Sequence, residues 1–203
     1  MKRTLMVLAI LACMVESASA GAPTDQVREY SDQVLKVLED SSLKPQDRRA
    51  AVRKIAIEIF DVTETARRAL GLHWQARTPA EREEFVQLFA DLLERTYIAR
   101  IDDYGGERIH YVGESIDGNY AIVRARIITR KGTEVPAESR LIRHGARWLI
   151  YDVSLENVSL ISNYRSQFDR IIRTSSYGEL IKRLREKKES PEAPRARRAK
   201  PDL

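Results

Sequence analysis

Cysteine is almost missing from this chain: the single thiol is Cys13, close to the N-terminus. If the first twenty residues are removed, no thiol remains, which excludes disulfides and thiolate catalysis. Histidine is scarce as well. His73, His110 and His144 fall in different segments and show no HxxxH spacing, so no metal-ligand set can be read. No Gly-rich phosphate loop and no Gly-x-Ser-x-Gly elbow is present. Beyond Val15 there is no apolar run long enough to span a bilayer. Charge of one sign is lacking too. The formal charge is +5, and removing Lys2, Arg3 and Glu16 leaves +5 − 2 + 1 = +4. That mild excess, spread among many acids, is not a nucleic-acid footprint.

What is present begins with an export signal. Lys2 and Arg3 form its positive start and Leu5 to Val15 its apolar core. Ala18-Ser19-Ala20 supplies the small-x-small cleavage pattern, so residues 1–20 are a signal peptide and the mature chain starts at Gly21. Ile10-Leu11-Ala12-Cys13 is only a loose lipobox, and the better cleavage site lies downstream. Residues 21–188 then suffice for one domain with a core. Residues 189–203 carry Pro, Ala, Arg and Lys with little to bury and are expected to be a disordered basic tail. Arg195, Arg197, Arg198 and Lys200 offer it to anionic surfaces, although a solubilising end is the plainer use.

Helices come first. Apolar residues at helical spacing predict helices over residues 24–40, 45–60 and 62–70, the last ended by Gly71. Thr78-Pro79-Ala80-Glu81 is a capping box with Pro at the first helical position. The helix it opens is expected to reach Tyr104, a length of about 40 Å at 1.5 Å per residue. Strands follow over residues 108–116, 119–130, 133–144 and 146–156. Asp117-Gly118, Lys131-Gly132 and His144-Gly145 are hairpin signals between them, so the sheet is an antiparallel meander. Helices over 158–175 and 177–188 close an α+β domain.

One face of the second strand is built from Ala121, Val123, Ala125 and Ile127, while Arg124 and Arg126 mark the other as solvent-facing. The next strand adds Val135, Ala137, Ser139 and Leu141. Dense cores interdigitate large residues, so a sheet face of small ones leaves volume. The aromatic helix can roof that volume as an apolar cavity, or fill it with Phe85, Phe89, Tyr97 and Trp74.

The richest stretch is Trp148 to Phe168, WLIYDVSLENVSLISNYRSQF. Leu149, Tyr151, Val153 and Leu155 alternate, which predicts one dry strand face. Asn157 suits a positive φ at the break, and Ser159 can cap the following helix. Trp148, Asp152-Val153, Val158-Ser159-Leu160 and Asn163 to Phe168 together resemble the signature of the MlaC (toluene-tolerance) family of periplasmic phospholipid-binding proteins. Phe60-Asp61, Arg68-Ala69-Leu70-Gly71, Trp74 and the capped helix from Thr78 are similar to other family motifs. Asn157 stands where the family usually has Gly.

The resemblance implies an NTF2-like fold, with helices packed on a curved four-stranded antiparallel sheet enclosing an apolar cavity. It implies a monomeric periplasmic carrier that moves phospholipid between an inner-membrane MCE/ABC transporter complex and an outer-membrane lipoprotein complex. Outer-membrane lipid asymmetry would be maintained that way, with no catalysis, cofactor or metal. The hopanoid-associated branch of the family shares this organisation. The expected cavity lining is Phe60, Leu70, Trp74, Phe89, Leu93, Tyr97, Val123, Ala125, Leu141, Tyr151, Val153, Ile161, Tyr164 and Phe168, apolar as lipid tails require. Arg165 suits a phosphate at the rim, or an ion pair with Asp61, Asp152 or Asp169. The rival class is an NTF2-like enzyme using Asp152 as general base, on the strand face of Trp148 and Ile150, with Tyr97 or Tyr111 as its polar companion.

Overall fold

The computed structural model describes residues 22–189; the expected leader and the tail beyond Glu189 lie outside them. Helices α1 (Pro23–Glu39) and α2 (Pro45–Ile59) each open on a proline. Its fixed φ suits the first turn, and its missing N–H has no partner there anyway. Helix α3 (Val62–Leu70) is capped by Asp61, whose carboxylate accepts the Glu64 N–H at 2.8 Å. Helix α4 (Pro79–Tyr97) starts on the expected capping box, Thr78 and Glu81 satisfying each other's backbone N–H. It does not reach Tyr104. The chain tightens into a 3-10 turn, Ile98–Asp103, closed by the Tyr104 N–H donating to the Ile101 carbonyl at 3.2 Å. Two aspartates are poor helix residues, and Asp102 is held by Arg49 of α2.

Strands β1 (Arg108–Asp117), β2 (Tyr120–Ile128), β3 (Glu134–His144) and β4 (Arg147–Leu155) form the expected meander. Gly118 and Gly145, at φ 56° and 60°, sit first in their two-residue loops, as type II′ turns require. The sheet has a fifth strand, β5 (Val158–Ser159), where the sequence pattern already predicts helix. Glu156 and Asn157 both take positive φ, 50° and 65°, which makes a type I′ hairpin between Leu155 and Val158. Helix α5 (Leu160–Thr174) therefore begins two residues late, capped by Ser159 as expected. Helix α6 (Tyr177–Glu189) ends the described chain.

A bulge in β4 changes which residues share a face. Leu141 pairs with Ile150, but its neighbour Arg140 pairs with Asp152, so Tyr151 is the extra residue. Ala121, Leu141 and Ile150 form one cross-sheet row, and Val123, Ser139 and Val153 the next on the same face. Leu149 aligns with Ile142 and Tyr120 on the opposite face. Tyr151 meets the Tyr120 ring there edge to face at 6.3 Å. The simple alternation of Leu149, Tyr151, Val153 and Leu155 is thus broken, and Asp152 leaves the face of Trp148 and Ile150.

Apolar packing divides in two. The helical core joins α3 to α6 through Ala66, Leu70, Phe85, Phe89, Phe168 and Leu180. The sheet core joins Ala121, Val123, Leu141, Trp148 and Ile150 to Val27 of α1. The helical body is fixed to the β4 edge. Phe60 bridges Ile150, Asp61 N–H donates to the Ile150 carbonyl at 2.9 Å, and Thr65 Oγ1 donates to the Tyr151 carbonyl at 3.1 Å.

Helices α4 and α6 meet at Tyr177, whose hydroxyl donates to the Glu81 carbonyl at 3.0 Å. Burial, helped by Glu81 and Glu84, pushes its phenol up from 10 to about 12. The folded chain therefore keeps a proton that the unfolded chain loses first. This stability is complete below pH 10 and is lost as pH rises toward 12. Thermal melts between pH 9 and 12 should fall less steeply in Tyr177→Phe than in the native chain.

Candidate functional site

Asp152 is the one buried carboxylate in the body of the sheet, 5% exposed. Its Oδ2 accepts from Ser159 Oγ at 2.6 Å and its Oδ1 from the Ile161 N–H at 3.1 Å. Ser159 Oγ in turn accepts the Ser162 N–H at 3.0 Å. A negative charge at a helix N-terminus that satisfies orphan N–H groups is a structural cap. Neither companion expected for a general base is among these contacts. Tyr111 belongs to the margin of the sheet core, and Tyr97 is 46% exposed on α4. Among the described residues no group of three His, Cys, Asp or Glu is placed to hold a metal.

Most of the apolar residues expected to line one cavity fall into one or other of the two cores, while Tyr97, Ala125 and Tyr151 belong to neither. Leu70, Trp74, Phe89, Ile161 and Phe168 are buried in the helical core, with Leu93 and Tyr164 half-buried against it. The Phe89 ring meets Tyr164 and Phe168 edge to face at 5.1 and 5.4 Å. Val123 and Leu141 are buried in the sheet core, with Phe60 and Val153 at its margin. Tyr151 is buried on the opposite face, under the Arg68 guanidinium at 3.9 Å. Ala125 borders a dent of about 130 Å³ with Val112, Pro136 and Ser154. A second hollow, about 400 Å³, lies between α4 and α6 and is lined by Glu81, Glu84, Lys182 and Arg185. Neither hollow lies between the two cores.

A further group of apolar side chains stays half-covered: Val34, Leu35 and Leu38 of α1, Ile55 of α2, and Ile98 and Ile101 of the 3-10 turn. The sequence reading uses several of them to define helices and assigns none to a site. Their signal was visible, since α1 repeats apolar residues at helical spacing yet buries only Pro23 and Val27.

Arg165 is exposed; its guanidinium donates to Ser162 Oγ at 3.4 Å. None of the three expected carboxylates takes it. Asp61 pairs with His144, Asp152 caps α5, and Asp169 pairs with His73 and Arg173. The aliphatic stem of Arg165 runs against Gly71, where a Cβ would sit 3.1 Å from its Cδ. Gly71 holds φ 58° and ψ −127°, a region open essentially to glycine alone. Gly71→Ala should destabilise by about 1–3 kcal/mol, read by urea unfolding, and should displace Arg165.

Six helices on a curved, five-stranded antiparallel meander, with apolar side chains gathered on both bodies, define an α+β domain. A family model described as MlaC protein matches residues 28–186, and the chain belongs to the MlaC family. The intermembrane phospholipid transport system binding protein MlaC of Haemophilus influenzae is 21% identical over 152 residues, covering 72% of this chain and 71% of that protein. A phospholipid-binding protein from Ralstonia solanacearum, solved in complex with a phospholipid, superposes with a TM-score of 0.72 at 22% identity. The superposition covers 84% of this chain and 97% of that one, and at this identity it speaks for the fold. No helix of the described residues is long and apolar enough to cross a membrane.

Proposed function

We propose that this chain is a periplasmic carrier that holds a phospholipid by its acyl chains and moves it between the two membranes. The observation that carries the reading is the family match across residues 28–186. The names of the relatives support it, one a phospholipid transport binding protein and the other a phospholipid-binding protein. The inner-membrane MCE/ABC complex and the outer-membrane lipoprotein complex are its proposed donor and acceptor, in either order. Carriage makes and breaks no bond, which agrees with Asp152 being spent on a helix cap. Residues 1–20 serve as the export signal, 21–188 as the carrier domain and 189–203 as a basic tail.

The proposed tail site draws on apolar residues of both cores, Val123, Leu141, Phe60 and Val153 of the sheet core and its margin and Leu93, Phe89 and Tyr164 of the helical one. Each methylene buried there contributes roughly 0.8 kcal/mol. The head group stays in water, with Arg165 as its proposed phosphate contact at the rim. The test is organic extraction of the purified exported protein followed by lipid mass spectrometry. Phospholipid in near-stoichiometric amount is the expected result. A hopanoid instead would move the chain to the hopanoid branch, and absence of any amphiphile would remove the carrier reading.

A further inference from the structure

The helix pair α1–α2 is poorly anchored by apolar contact. Over its 17 residues α1 buries only Pro23 and Val27, and over its 15 residues α2 buries only Val52 and Ile59. Yet α1 closes the sheet core, since Val27 packs with Ala121, Val123 and Leu141. What holds the pair is polar, and it is concentrated at two ends. At the root, Thr24 N–H and Oγ1 donate to Glu114, the Trp148 N–H donates to Gln26, and Arg147 donates to Tyr30 Oη and the Glu58 carbonyl. At the α2 side and tip, Arg49 donates twice to Asp102 Oδ2, at 3.1 and 2.6 Å. Arg48 lies 3.9 Å from the same carboxylate and also donates to the Asp40 carbonyl at 3.0 Å, while Arg53 pairs with Glu94. Tyr104 donates to Glu39 at 3.3 Å.

We propose that α1–α2 is a hinged cover over the sheet core, latched shut by Arg48, Arg49 and Arg53 on Asp102 and Glu94. Its root is the Phe60-Asp61 junction, where α2 passes into backbone bonds with β4. Partly exposed ion pairs suit a latch because they are individually weak and are exchanged for water at little cost. A cover held by buried apolar area would lose far more on opening. The half-covered side chains Val34, Leu35 and Ile55 belong to this cover and are the surface it would offer to an entering acyl chain. That use rests on the carrier reading; the latch itself does not.

The test places a thiol under the cover, in the exported protein made from a Cys13→Ser chain. Ala121→Cys puts it in the sheet core, where the native residue is 2% exposed. Labelling by a maleimide should be slow with Asp102 intact. It should accelerate about tenfold in Asp102→Asn, the factor corresponding to ~1.4 kcal/mol of latch. Asp102→Glu should restore slow labelling. Equal rates in the Asp102 and Asp102→Asn chains would overturn the latch. So would equal acceleration of a thiol at Leu88→Cys, which lies in the helical core, because the loosening would then be global. Uptake of phosphatidylglycerol from vesicles, measured without either reporter thiol, separates the two readings. If Asp102→Asn frees the Ala121→Cys thiol but the native chain takes up no lipid, the latch stands and the carrier reading falls.

Discussion

Asp152→Ala should unfold this protein more readily than any other single polar truncation, with a loss of about 3–4 kcal/mol in urea melts. The side chain is buried and both of its oxygens are used, one by Ser159 Oγ and one by the Ile161 N–H. A hydrogen bond to a charged group contributes about 1.5–3 kcal/mol, and the Ile161 N–H left bare and buried adds a desolvation penalty. Alanine also opens a gap at the point where β5 turns into α5. Asp152→Asn should be milder, about 1–2 kcal/mol, because its carbonyl oxygen can still accept from Ile161 while the Ser159 hydroxyl must find another acceptor. The contrast between the two variants is itself informative. A catalytic base would show activity lost in both and stability lost in neither, whereas a cap shows a graded loss of stability.

Asp152 also shows how far the sequence reads and where it stops. Ser159 was legible as a cap, because a small hydroxyl before an apolar helical stripe has one obvious use. The Thr78–Glu81 box was legible for the same reason, and so was the positive φ of Asn157. These are local devices whose partners lie within three residues. The β4 bulge was not legible. Trp148 to Leu155 alternates well enough on paper, and nothing within it announces that Tyr151 is an extra residue. Only the partner strand reveals it, through the step from Arg140–Asp152 to Leu141–Ile150. One unread bulge reverses the faces of Leu149 and Tyr151 relative to Val153, and takes Asp152 off the face of Trp148 and Ile150. The early end of α4 has the same character. Ile98–Asp103 keeps a helical apolar pattern, and it is the Arg49–Asp102 contact, made across 53 residues of sequence, that accompanies the tighter turn.

The division into two cores belongs to the same class of unread fact. The stripe of Phe85, Phe89, Tyr164 and Phe168 announces burial, and so does the row Ala121, Val123, Leu141. Neither says whether the two bury each other. In the fold they do not: the aromatic rings pack mainly on one another, Phe85 stacked on Phe89 at 5.8 Å and edge to face on Phe168 at 5.7 Å. The sheet row is covered instead by α1. The small-residue sheet face is therefore closed by α1, and an acyl chain reaches it only if the proposed cover moves.

That reasoning sets the second large effect, on cargo rather than on fold. Val123→Trp should weaken phospholipid affinity by roughly fifty-fold, and so lower the lipid that survives purification, if the indole excludes three methylenes of acyl chain at ~0.8 kcal/mol each. Val123 is 1% exposed at the centre of the sheet core, so the larger ring must either displace α1 or occupy the acyl volume. Overpacking a tight core costs typically about 1–3 kcal/mol and leaves a folded chain, which far-UV dichroism would verify before extraction. Ala125→Trp provides the internal comparison. Its parent residue is only half-buried, beside the dent with Pro136 and Ser154, so the ring can lie outward and lipid loss should be smaller. Native phospholipid content in a folded Val123→Trp chain would take the sheet face out of the tail site and leave the helical core, around Leu93 and Tyr164, to carry it. Equal loss in both variants would instead mean that loading is sensitive to any enlargement of β2, and the graded argument from burial would fail.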